Sequence, residues 1–321
     1  MNKKKYVNRN YLTTTRIIAL GFLITVIVGT ILLSLPIASA NGTWTDLLTA
    51  AFTSTTSVCV TGLVVVDTFS YWSLFGKGVI LILIQIGGLG IVSIITLFML
   101  LLRMKITLKS TMLLQDAFNL NSKQGLLKFT IKVIKGTFLI EGIGALIYSF
   151  YYCREYGFLK GIWFSVFHAV SAFCNAGIDI MGADSLISYH SNLLMMLNTS
   201  FLIIMGGIGF IVWWDTVEAF RRIRTKRCSI RSAWNGVHLQ TKIAIFMTLL
   251  LLIGGTIVIY FLERSNPDTL GNLSEKDRIL NAFFQSVTFR TAGFAAVSQV
   301  ALRPVTAFFG VLLMMIGGSP V

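Results

Sequence analysis

This sequence is poor in charge: lysine, arginine, aspartate and glutamate make up 12% of its 321 residues, against 55% hydrophobic side chains. Soluble domains carry about a quarter charged residues, so a water-soluble globule of this length is excluded and the chain belongs in a bilayer. The mean hydropathy of +0.77 agrees. Histidine is limited to three residues and cysteine to four. Cys59, Cys153, Cys174 and Cys228 show neither CxxC spacing nor a disulfide framework. No Walker, Rossmann, zinc or nucleophile motif occurs, and an enzyme is not expected. His168 has no second histidine or carboxylate at ligand spacing and is expected to be a hydrogen-bonded structural residue. Acidic residues are outnumbered 13 to 27, a net charge of +14 that could suggest nucleic acid. Its placement argues otherwise: 19 of the 27 basic residues fall within 1–16, 103–135 and 221–242, beside apolar runs. That is the positive-inside pattern of a multi-pass membrane protein, with anionic lipid headgroups as a secondary partner.

What is abundant is long apolar sequence. Runs able to cross ~30 Å of hydrocarbon, about 20 residues each, lie at 17–45, 78–102, 191–214 and 243–262. A further run, 136–153, carries Glu141, and another begins at Pro304. Basic residues before the first run could mark a signal peptide, but the run is longer than an h-region, and Pro36 with the polar stretch after it reads as a helix end.

Three short segments repeat: Thr56-Ser-Val-Cys-Val-Thr-Gly62, Ser171-Ala-Phe-Cys-Asn-Ala-Gly177 and Val287-Thr-Phe-Arg-Thr-Ala-Gly293, with glycines 115 and 116 residues apart. Glycine tracts at Gly87–Gly90, Gly206–Gly209 and Gly317-Gly318-Ser319-Pro320 follow at offsets of 25, 29 and 24. Each copy therefore reads as a long apolar span, a shorter helix (44–56, 161–173, 276–289), a glycine segment and a second span. If the short elements crossed, the basic cluster at 103–135 would lie opposite the basic N-terminus. If they dip in and return, all three basic clusters share one face and 9 of the 13 acidic residues lie near the other. The expected architecture is thus an all-α membrane protein of tandem M1–pore helix–M2 repeats around a pore. The chain divides into an N-terminal segment 1–15, repeat 1 at 16–105, a loop 106–128, repeat 2 at 129–224, a loop 225–238 and repeat 3 at 239–321.

Irregular backbone at membrane depth must be buried in protein or line a water-filled cavity. Three copies of it point to a pore, and the hydroxyls of the first (Thr53, Ser54, Thr55, Thr56, Ser57, Thr61) suit water or protein better than lipid. A dehydrated cation needs a shell of oxygens, which backbone carbonyls supply. Aiming successive carbonyls inward needs backbone angles that a Cβ obstructs, hence glycine, and a short helix ending before it turns its negative end toward the ion. The candidate ion-binding residues are Val58, Cys59, Val60, Thr61 and Gly62; Cys174, Asn175, Ala176 and Gly177; and Arg290, Thr291, Ala292 and Gly293, with a dehydrated cation at their backbone carbonyls. Asp67 and Asp179 would concentrate cations at the mouth. Cys59 and Cys174, where the third copy has Arg290, read as small packing residues. The glycine tracts read equally as helix-packing surfaces or gating points, and Glu141 equally as a functional or a structural carboxyl.

The segments TSVCVTGLVVVDT (56–68), SAFCNAGID (171–179) and FRTAGF (289–294), with their spacing, resemble the Trk/Ktr/HKT superfamily of potassium transporters over essentially the whole chain, most closely its KtrB-type membrane subunits. The resemblance implies potassium uptake through a channel-like subunit, Gly62, Gly177 and Gly293 as selectivity-filter glycines, and potassium preference at Gly62, where plant relatives selective for sodium have serine. It implies flux aided by Na+, a membrane homodimer on a cytosolic nucleotide-binding ring of the KtrA kind, and a bacterial plasma-membrane location with the N-terminus cytoplasmic. It also implies a gating loop in the third inner span, beginning at Gly317, Gly318 and Ser319. The family has four repeats, so a fourth glycine-centred segment is expected beyond Val321, and residues 1–321 alone are not expected to conduct selectively. The alternative is a secondary transporter of another cation or small solute, with a midplane site between broken helices. That class predicts inverted repeats, whereas these copies all start on one side.

Overall fold

The computed structural model describes residues 14–90, 93–94, 96, 126–182, 185–226 and 229–318. The basic segment before residue 14, most of the loop 106–128, Cys228, Ser319 and Pro320 lie outside the described residues. Among the described residues the regular structure is helical, with one isolated β-bridge between Ser39 and Trp72.

The first repeat opens with α1 (Thr14–Ser34), whose apolar run is ended by Pro36. A proline cannot continue a helix and forces the preceding residue out of the α region, and Leu35 is extended at φ −65° and ψ 144°. The expected span 17–45 is therefore too long: it stops at Ser34 and a single 3-10 turn, Pro36–Ala38, follows. Helix α2 (Leu47–Cys59) begins at Asp46, whose carboxylate accepts the N–H groups of Leu48 and Thr49 at 3.1 and 3.3 Å. Helix α3 (Leu74–Leu89) is capped by the Ser73 hydroxyl, and its start precedes the expected Gly78 by a turn.

The second repeat comprises α4 (Leu126–Tyr156), the short α5 (Phe158–Phe173), α6 (Leu193–Gly207) and α7 (Phe210–Lys226). The apolar run 191–214, long enough to cross a bilayer once, is broken, α6 and α7 meeting at 100°. The break is the glycine tract, where Gly209 takes φ +93° and leaves the helix. The third repeat comprises α8 (Leu239–Glu263), α9 (Glu275–Thr288), with Ser274 as its N-cap and Glu275 and Asp277 in its first turn, and α10 (Pro304–Ile316).

Helices α1, α4 and α8 contain segments long and apolar enough to cross a membrane, and α6 with α7 passes the same test as one broken span. Burial runs opposite to that of a soluble protein: Leu23, Ile24 and Ile31 of α1 are exposed, while Ser54, Thr56 and Ser57 of α2 are buried. The short helices occupy the interior. Helix α2 packs on α1 and α3, α5 on α4 and α6, and α9 on α8. Between repeats, α3 packs on α5 and α6 on α9, so each second long helix is wedged against the next short one and the three glycine segments are carried side by side.

Candidate ion-conduction site

Each short helix stops at its glycine segment in the same way. Val60 and Gly62 have φ of 56° and 76°, Asn175 and Gly177 58° and 62°, and Thr291 and Gly293 70° and 82°. All three loops thus place left-handed residues at the glycine and two positions before it, with a residue of ordinary hand between. Alternation of hand turns successive peptide planes so that their carbonyls face one side, which a uniform strand cannot do. Valine and threonine are β-branched and pay ~1–2 kcal/mol for the left-handed region, so the surrounding structure holds them there. The intervening N–H is tied back into the helix: Thr61 N–H donates to Thr56 O (3.0 Å), Ala176 to Ser171 O (2.8 Å) and Ala292 to Thr288 O (2.9 Å).

A hydroxyl in the last turns of each short helix holds the residue after the glycine. Ser171 Oγ donates to Ile178 O (2.5 Å) and Thr288 Oγ1 to Phe294 O (2.7 Å). Thr56 Oγ1 instead accepts the N–H of Leu63 (3.0 Å) while lying 2.6 Å from Thr61 Oγ1. These hydroxyls were inside the repeated segments, yet nothing in their spacing said that they reach across the glycine.

The three loops converge. A Cβ on Gly62 would stand 2.7 Å from Ala176 O, and one on Gly177 2.5 Å from both Ala292 O and Gly293 Cα. A Cβ on Gly293 would stand 3.0 Å from Gly177 Cα. Glycine is therefore required twice over, by φ and by the neighbouring loop's backbone. Such a cluster can present neutral carbonyl oxygens, backed by the negative ends of α2, α5 and α9.

The glycine tracts lie directly behind the loops. A Cβ on Gly87 would come within 2.2 Å of Val58 O, and one on Gly206 within 1.7 Å of Phe173 O. Val58 and Phe173 both precede their glycines by four residues. The first two tracts are thus close-approach surfaces, and the second is also a bend.

The remaining expected residues separate. Val58 is buried, Cys174 packs against Gly88, but Cys59 is exposed and is not the packing residue expected. With its side-chain amide assigned so that the nitrogen faces these two carbonyls, Asn175 donates to Ala172 O and Ile203 O at 3.1 Å, anchoring its loop to α6. Arg290 is buried and donates from Nε to Gly317 O (3.3 Å), which joins the third loop to the first gating candidate. Gly318 lies against Gly207. His168 is fully buried between Tyr152 and Phe294, with ring centroids 5.4 and 6.0 Å away. Glu141 accepts from Gln85 Nε2 (3.1 Å) through one oxygen only. Asp67 caps the turn Thr68–Tyr71. Burial raises its pKa, but bonds from the Ser70 hydroxyl and the N–H groups of Ser70 and Phe69, with Lys77 nearby, hold it below the ordinary carboxylate value.

The family model TrkH, cation transport protein, matches residues 3–321. The chain is 40% identical over 311 residues to the potassium/sodium uptake protein NtpJ of Enterococcus hirae, covering 97% of this chain and 66% of that protein. It is 38% identical over 320 residues to the Ktr system potassium uptake protein B of Bacillus subtilis, covering 99% and 68%. The fold matches the crystal structure of the potassium transporter TrkH from Vibrio parahaemolyticus with a TM-score of 0.65 at 14% identity, over 99% of this chain and 59% of that one. The chain thus spans about two thirds of the length of the two uptake proteins and 59% of the solved TrkH chain.

Proposed function

The chain belongs to the TrkH family of cation transport proteins, which are not enzymes, and we propose that it supplies part of a channel-like potassium uptake pathway of the Ktr/Trk type. The observation that carries this reading is the left-handed pair, repeated in register at Val60/Gly62, Asn175/Gly177 and Thr291/Gly293, in loops whose glycines meet. A ring of neutral carbonyls replaces a cation's hydration shell and imposes selectivity without a fixed charge. The similarity to potassium and potassium/sodium uptake proteins supports K+ as the transported ion, and we take the flux to depend on Na+ as well. In this reading Val58–Gly62, Cys174–Gly177 and Arg290–Gly293 form the filter, and Gly317, Gly318 and Ser319 begin a gate. Repeats 16–105, 129–224 and 239–321 stand around the pore. The name of the Ktr relative supports a multi-subunit system, which we take as a membrane homodimer on a KtrA-like nucleotide-binding ring. The basic clusters support a cytoplasmic N-terminus in a bacterial plasma membrane.

The test uses the full-length protein in a strain lacking potassium uptake and in liposomes. Wild type is expected to restore growth at low K+ and to pass K+ in preference to Na+, and Gly62→Ser to erode that preference. An unchanged K+/Na+ ratio in Gly62→Ser would overturn the filter assignment.

A further inference from the structure

Where α7 turns away from α6, a cavity of about 380 Å³ opens between α4, the bend and α8. Its walls are apolar: Gly136 and Ile140 of α4, Met205 of α6, Val212 and Trp213 of α7, and Ile245 of α8. It opens outward past Leu139 and Val217, both more than half exposed, on a surface that faces the bilayer if α4 crosses it. One rim is cationic. Lys132 Nζ stands 5.4 Å above the ring of Trp214, whose buried Nε1 has no hydrogen-bond partner. One helical turn further from the cavity, α4 carries Lys128 and α7 carries Arg221, with Arg224 a turn beyond it, along the face that includes Val217. Among the described residues none of these four forms an ion pair, because the two carboxylates of α7 are engaged elsewhere. Asp215 accepts from Thr241 Oγ1 (2.6 Å), and Glu218 pairs with Arg222 (3.0 Å).

An apolar slot that ends in tryptophan and unpaired lysine or arginine has the polarity of a phospholipid, chain to headgroup. The 100° bend adds to this: if α6 crosses the membrane, α7 runs near its plane, with Val217 and Phe220 exposed beside Arg221 and Arg224, as in an interfacial amphipathic helix. We propose that this cavity binds one anionic phospholipid, an acyl chain lying between α4 and α7 and the phosphate resting on Lys132 and its basic neighbours. A zwitterionic lipid fits the slot but cancels its own attraction to the rim.

The test is native mass spectrometry of the full-length protein titrated with phosphatidylglycerol or phosphatidylcholine. Wild type is expected to retain phosphatidylglycerol preferentially, at one site per chain. Lys132→Gln should weaken that retention about fivefold, the effect of one basic residue near an anionic surface. Gly136→Leu, which fills the slot without touching the charge, should reduce retention of both lipids. A photo-crosslinker at position 217 should label lipid. Equal retention of the two lipids, indifference to both substitutions, or crosslinking of position 217 to another segment of protein would each overturn the proposal.

Discussion

The second and third glycine loops reach the same backbone conformation on different supports. Behind the second, Phe173 O faces the backbone of α6 at Gly206, Cys174 abuts Gly88, and the Asn175 amide bonds into α6. Behind the third, the Phe289 ring lies over Gly310, Thr291 Oγ1 donates to Arg290 O (2.6 Å), and Arg290 reaches Gly317. Backbone against backbone cannot yield, whereas a phenyl ring and an arginine can change rotamer. The shared geometry therefore comes from what the copies have in common: a helix end, a glycine and a hydroxyl tie. The buttresses set only how firmly it is held. The third loop, on adaptable supports, is also the one joined to the proposed gate.

The comparison breaks first at the glycines. Gly177→Ala places a Cβ 2.5 Å from two backbone atoms and is expected to abolish potassium uptake by the full-length protein, whereas Gly293→Ala, with 3.0 Å to Gly177 Cα, leaves a measurable remnant. Equal loss in growth assays at low K+ would mean that φ alone, not crowding, decides. Next, Gly206→Ala meets Phe173 O at 1.7 Å and is expected to cost about 3 kcal/mol by overpacking. Gly310→Ala meets only the Phe289 ring and is expected to cost about 1 kcal/mol or less. Thermal unfolding in detergent separates the two, and equal melting temperatures would dispose of the rigid-versus-adaptable distinction. The smallest difference between the loops is expected in what they share. Ser171→Ala and Thr288→Val each leave a carbonyl without its hydroxyl and are expected to cost similar amounts, about 1 kcal/mol. A tenfold difference in K+/Na+ selectivity between them would show that the tie matters in one loop only.

Much of this was legible beforehand because repetition carries information that single residues do not. Matched glycines located the short helix of each repeat, and of the hydroxyl residues around the first glycine Thr53, Ser54, Thr56 and Ser57 are buried, whereas Thr55 and Thr61 are exposed. The signals failed where the cause was contact. Val60 and Thr291 give no sign of a left-handed conformation, since β-branched residues avoid it unless a helix end and a neighbouring loop impose it. Gly209 looked like its counterpart in the other tracts, and only packing made it a 100° bend. Cys59 and Cys174 share a register position but not an environment.

By itself, then, the sequence determined a bilayer protein built of M1–pore helix–M2 repeats with glycine at each loop, because hydropathy, charge placement and spacing are properties of the chain read in order. Tertiary structure alone decided that the glycines meet, that Gly87 and Gly206 lie against the carbonyls of Val58 and Phe173, and that Arg290 reaches Gly317. Those facts depend on which atoms approach within a few ångströms across more than twenty residues of chain, a distance over which local pattern carries no information.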